Sequence, residues 1–150
     1  MNRDFLDMLS VLSEEGVEFL IVGAHALAVH GHPRATGDLD VWINPTSDNA
    51  ARALRALQRF GAPLHDLTTD DLSRPTVVFQ IGLPPSRIDI LTGISGVSFP
   101  EAWERRVIVT IEGLSIGILG RDDFITNKRA VGRQKDLSDL ALLGGTTTDE

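Results

Sequence analysis

The 150-residue chain has no cysteine and no tyrosine, and its only aromatic residues are six phenylalanines and two tryptophans. Without thiols there is no disulfide framework, no thiolate zinc site and no cysteine nucleophile. The shortage of rings leaves Leu, Ile, Val and Ala to fill the core, and few rings to stack on nucleic-acid bases. Basic residues are also scarce: 14 Lys and Arg stand against 21 Asp and Glu, a formal net charge of −7. A broad basic surface for long nucleic acids is therefore not expected. A small phosphorylated ligand with a metal ion remains compatible. No apolar run approaches the ~20 residues of a membrane span, and acids interrupt the stretch MNRDFLDMLSVLSEEG where a signal peptide needs apolar residues. The expectation is a cytoplasmic protein with no membrane attachment.

What is present suffices for one domain. With 42% hydrophobic residues, a chain of this length lies near the common domain size of roughly 100–150 residues. It buries about 68–70% of its unfolded surface. Phe5, Met8, Leu9 and Leu12 recur at helical spacing before Gly16. Phe19 to Val22 reads as a short buried strand ending at Gly23, and Ala24 to His30 as a short helix. A loop leads into a second strand, Asp38 to Ile43. Thr46 or Ser47 can cap a helix that ends at Gly61. The run from Gly61 to Pro75 reads as a loop of undefined form. Thr76 to Ile81 and Arg87 to Leu91 predict two strands, and residues 99–104 a helical turn. A hairpin turns at Glu112-Gly113, followed by helices over 121–131 and 134–143 and a frayed tail over 144–150. These elements predict a single α/β (α+β) domain over 1–150, with a mixed central sheet of five or six strands and helices packed on one face.

Side chains two apart on a strand share a face, so Asp38, Asp40 and Trp42 project together, opposite Leu39, Val41 and Ile43. Arg87, Asp89 and Leu91 repeat the pattern opposite Ile88 and Ile90. If the two strands are neighbours, three carboxylates converge. Such a cluster is tolerable mainly when a cation neutralises it, and oxygen-only ligation suits Mg²⁺ or Mn²⁺ completed by substrate phosphates. An exposed acidic strand face is the alternative. Gly23 ends a strand and opens a helix, a place where backbone N–H groups can meet a phosphate, or simply a packing device. Arg34 could grip phosphate bidentately or be a solvated loop residue. Thr36 could donate to phosphate or fix a turn. Lys128 could neutralise a triphosphate or complement a helix dipole. His25, His30 and His32 lack the spacing of a zinc site. Arg105-Arg106 reads as a solvated strand edge.

Taken together, Gly23-Ala24, the stretch Arg34-x-Thr36-x-Asp38-x-Asp40 and the strand Ile88-Asp89-Ile90 resemble the DNA polymerase β-like nucleotidyltransferase superfamily. The resemblance is greatest to its small bacterial branch, which includes lincosamide-type antibiotic and abortive-infection toxin-like nucleotidyltransferases. Lys128, Arg133, Lys135-Asp136 and Asp139 resemble the C-terminal motif of the toxin-like members. The resemblance implies that Asp38, Asp40 and Asp89 bind metal, Asp89 also assisting deprotonation of the acceptor, and that Gly23 and Ala24 line the triphosphate. Ala24 stands where many relatives carry Ser, and the stretch from Gly23 to Asp38 is longer than in the most compact members.

The expected activity is a Mg²⁺- or Mn²⁺-dependent transfer of NMP from an NTP to a hydroxyl of a small molecule or protein. The acceptor pocket would be completed by a second subunit or a partner protein. The alternatives are an antitoxin-like or regulatory partner-binding module, and a toxin-like enzyme acting on tRNA through a strip at Arg121, Lys128, Arg129, Arg133 and Lys135. If the three acids share a site, Asp89→Asn is expected to leave the metal-free protein equally or more heat-stable.

Overall fold

The computed structural model describes residues 1–31 and 37–143. Arg34, Thr36 and His32, and the tail expected to fray, lie outside the described residues. The elements follow in the order α1 (Arg3–Glu14), β1 (Phe19–Val22), α2 (Gly23–Val29), β2 (Asp38–Ile43), α3 (Ser47–Phe60), α4 (Thr69–Ser73), β3 (Val78–Ile81) and β4 (Arg87–Leu91). After these come α5 (Phe99–Glu104), β5 (Val107–Ile111), β6 (Leu114–Ile118), α6 (Arg121–Val131) and α7 (Gln134–Leu143).

Local chemistry explains the boundaries. Asn2 caps α1 by accepting from the Asp4 N–H, and the Thr46 side chain accepts from the Asn49 N–H at the start of α3. Gly61 closes α3 in the left-handed conformation, at φ 89°, where a residue without Cβ is favoured. α4 lies in the segment expected to be an undefined loop. It begins with a reciprocal capping box between Thr68 and Asp71 and buries only Leu72.

The six strands form one mixed sheet in the order β3-β4-β2-β1-β6-β5. β2 runs antiparallel to β1 and parallel to β4. β6 runs parallel to β1 and antiparallel to β5, so the mixed sheet expected from the sequence is present at six strands. α1 packs with α3, and α2 packs on β1 and β2. Phe5, Met8, Leu9 and Leu12 of α1 join Leu39, Val41, Ile43 and the buried alanines of α3 in one core. Trp42 belongs by alternation to the aspartate face, yet it is 1% exposed and meets Phe99 of α5 edge-on at 5.0 Å. That face is therefore covered at its Trp42 end.

The arginine pair expected as a solvated edge has structural partners instead. Arg105 makes two hydrogen bonds to the buried Asp123, at 3.1 and 2.8 Å, and Arg106 lies 3.9 Å from the centre of the Trp103 ring. Two of the histidines make internal contacts: His25 meets Phe5 edge-on, and the His30 Nε2 donates to the Leu119 carbonyl at 2.8 Å. Among the described residues no helix is long and apolar enough to cross a membrane.

Candidate active site

The parallel pairing of β2 with β4 puts Asp40 directly opposite Asp89 and Asp38 opposite Arg87. On the other side, antiparallel β1 puts Val22 opposite Asp40. The chain then turns into α2 through Gly23 at φ 69°. A Cβ on Gly23 would fall 2.2 Å from Asp40 Oδ2 and 3.1 Å from its Cγ. Glycine is thus required twice, once for the left-handed backbone and once to leave the carboxylate its place. Gly23→Ala is expected to cost about 1–3 kcal/mol in backbone strain and to turn the Asp40 carboxylate away from β4. Thermal melting should show a folded but weakened protein.

Asp40 faces a cleft of about 390 Å³ whose wall includes Gly23, Thr76, Ser95, Asn127, Lys128 and Arg133. Ala24, the next residue of α2, is not part of that wall. Burial, followed by the neighbouring charges of Asp89 and Asp38, raises the Asp40 carboxyl from its usual 3.8 to about 6, while Lys135 and Lys128 pull weakly the other way. The cations near this half-buried acid do not offset its burial and the neighbouring carboxylates.

Asp89, in contrast, is compensated. It is 7% exposed and accepts from Arg87 Nε at 3.2 Å and Nη2 at 3.1 Å. The same Nη2 lies 3.0 Å from Asp38 Oδ2. The three carboxylates expected to converge do share the β2–β4 face, but a guanidinium spans two of them. Among the described residues no three His, Asp or Glu side chains come together closely enough to enclose a metal ion by themselves. The all-oxygen donor set and the raised Asp40 instead fit a divalent ion shared between a pair of carboxylates and substrate oxygens, which is how Mg²⁺ is commonly held.

Lys128 reaches the cleft wall from α6, but its ammonium lies 3.2 Å from Asp136 Oδ1 and 3.7 Å from Asp139 Oδ2. Asp136 is fully buried and also accepts from Arg133 Nε at 2.8 Å and from the Arg133 backbone N–H at 3.2 Å. Burial would raise the Asp136 carboxyl, but the hydrogen bonds from Arg133 and Lys128 outweigh it and hold the group below the ordinary range. Lys128 is thus anchored between α6 and α7, not extended as a lone cation.

Several cleft residues carried no signal in the sequence. Thr76 has φ 62°, a strained value for a β-branched residue, and the Asn127 side chain donates to the Ser95 carbonyl at 2.9 Å. They arrive from separate loops and helices, and no short motif links them.

Several solved structures share this architecture, and two illustrate it. One is a candidate nucleotidyltransferase from Thermotoga maritima, with a TM-score of 0.61 and 15% identity, covering 93% of this chain and 89% of that one. The other is an antigenic nucleotidyltransferase-like protein from Paracoccidioides brasiliensis, with a TM-score of 0.51 and 14% identity, covering 95% of this chain and 73% of that one. At such identities the likeness is one of fold. No curated protein matches the sequence. A family profile does match, over residues 1–149, and with nearly the whole chain covered, the protein belongs to the family described as nucleotidyl transferase of unknown function (DUF2204).

Proposed function

We propose that the chain is a metal-dependent nucleotidyltransferase that moves NMP from an NTP to a hydroxyl of a small molecule or a protein side chain. The observation that carries this reading is the register of Asp40 against Asp89 beside a cleft that opens at Gly23. In the reaction the acceptor oxygen bonds to the α-phosphorus, the bond from that phosphorus to the pyrophosphate oxygen breaks, and the acceptor proton passes to a base. Asp38 and Asp40 would hold Mg²⁺ or Mn²⁺, which supplies charge to the phosphate oxygens and lowers the cost of the displacement. Asp89 is the candidate base, held in orientation by Arg87. Gly23 lets the backbone approach the reacting phosphates closely. Arg34 and Thr36 are proposed phosphate contacts on their sequence positions alone.

A small acceptor is favoured over tRNA because much of the basic strip is engaged internally. Lys128 and Arg133 both serve Asp136, and Arg121 donates to the Leu143 carbonyl. The open cleft is compatible with an acceptor pocket completed by a second copy or a partner protein.

The test is incubation with each α-labelled NTP and Mg²⁺ or Mn²⁺, with and without cell lysate. Ion-dependent label on a small molecule or protein, lost in Asp40→Asn, is the expected result. Label on tRNA would replace the acceptor class, and no label in any arm would favour a partner-binding role for the same fold.

A further inference from the structure

Arg87 stands out among the charged residues near the acids because of where its guanidinium lies. Arg87 and Asp89 share a face of β4, and the register sets Arg87 against Asp38 on β2. The side chain grips both oxygens of Asp89 and reaches Asp38 at 3.0 Å. A guanidinium has donors only and never loses its proton in a protein, so it cannot ligate a metal ion and repels one placed beside it. It therefore uses the Asp38 oxygen that an ion would need, while it holds Asp89.

This engagement differs in kind from the lysine lock between α6 and α7. There the side chains are 9% and 0% exposed, so separating the charges would strand them away from water. Arg87 and Asp38 are 32% and 34% exposed, and ion pairs open to solvent contribute little net free energy, about 0–1 kcal/mol. The Asp38 arm of the bridge is thus weak enough to yield to a doubly charged ion carrying extra ligands, whereas the Asp89 arm, whose carboxylate is 10% exposed, holds Arg87 in place.

We propose that Arg87 is a positioning residue that acts as an internal competitor of the divalent ion, spanning Asp38 and Asp89 until a nucleotide supplies the additional oxygens that let the ion displace it from Asp38. The inference rests on the metal-dependent reading above and deepens it. Arg87 makes ion loading conditional on nucleotide. It also keeps Asp89 oriented while the site waits.

The test is calorimetric titration of Mn²⁺ into the full chain, with and without a non-hydrolysable ATP analogue, for wild type, Arg87→Gln and Arg87→Lys. Mn²⁺ alone should bind Arg87→Gln at least about tenfold more tightly than wild type, a difference worth about 1.4 kcal/mol. The advantage that the analogue confers on wild type should shrink in the variant. Arg87→Lys, which keeps the charge but loses the fork, should lie between them. A folded Arg87→Gln whose affinity for Mn²⁺ alone is unchanged or weaker overturns the inference, while analogue-dependent binding to wild type would leave the metal-dependent reading standing. Wild type that binds no ion even with the analogue overturns both. If Arg87→Gln does not fold, the ¹⁵Nη2–H resonance of Arg87 that faces Asp38 in wild type decides. Its proton should exchange with water at least about tenfold faster once Mg²⁺ and the analogue are added, and an unchanged exchange rate overturns the inference.

Discussion

Asp40→Asn is expected to raise the melting temperature of the metal-free protein by about 4 °C near neutral pH while abolishing the proposed nucleotidyl transfer. The sign follows from linkage. The folded-state carboxyl titrates at about 6 against a usual 3.8, so between these values the folded chain holds a proton that the unfolded chain has released. Stability therefore falls as pH rises through that interval, and the full penalty is present above it. Asp40 remains partly open to solvent, so we discount the shift to on the order of 2 kcal/mol. In a chain of this size each kcal/mol moves the melting temperature by about 2–4 °C. Asn keeps the volume without the charge, and the decline in stability between about pH 4 and pH 6 should flatten. A melting series over that range checks it. A variant that melts lower than wild type near neutral pH would show that Asp40 has a compensating cation.

The sequence alone assigned this relief of repulsion to Asp89. The structure moves it to Asp40, because Asp89 already has Arg87. Asp89→Asn exchanges charge-assisted hydrogen bonds for weaker ones and is now expected to lower stability by about 1.5 kcal/mol.

The largest loss of stability is expected at Lys128. Lys128→Met removes a cation from between Asp136 and Asp139, which are 0% and 1% exposed, and leaves Arg133 as the remaining partner of Asp136 in the ion-pair pattern. Breaking a buried pair from one side typically costs about 3–5 kcal/mol, enough to lower the melting temperature by roughly 10 °C. Adding Asp139→Asn should recover part of the loss, since it removes one of the two buried carboxylates that Lys128 serves. Asp136 is held below its ordinary range, so its contribution is present above the usual carboxylate pKa and is lost as pH falls through the folded value. Wild type should therefore lose stability on acidification below about pH 4, and the double variant should do so less steeply. Equal melting temperatures for wild type and Lys128→Met would show that the lock contributes nothing.

The strands and helices were legible where periodicity and punctuation agreed. β1, β2 and β4 fall where the runs Phe19–Val22, Asp38–Ile43 and Arg87–Leu91 put them, because each is a short apolar or alternating run bounded by turn residues. α4 was missed because a five-residue helix burying Leu72 alone has no period to detect, although its Thr68 and Asp71 cap was written in the sequence. Thr76 was expected to open β3, which instead begins at Val78. The positive φ of Thr76 takes it out of the extended run, a tertiary constraint that local propensity does not encode. The shared face of the acids was legible from alternation, but the guanidinium across two of them was not. Alternation places Arg87 beside Asp89 without saying which partner its long side chain takes.

The sheet order carries a consequence for synthesis on the ribosome. β1 is flanked by β2, which follows it closely in the chain, and by β6, whose residues Leu114–Ile118 come near the end. Until that segment leaves the exit tunnel, one edge of the buried strand Phe19–Val22 has no partner, and an unpaired apolar edge is a template for pairing with other chains. Nascent chains stalled before β6 should therefore depend on chaperones and be prone to co-aggregate. Release of that dependence should coincide with emergence of β6, before α6 and the Lys128 wall of the cleft can form.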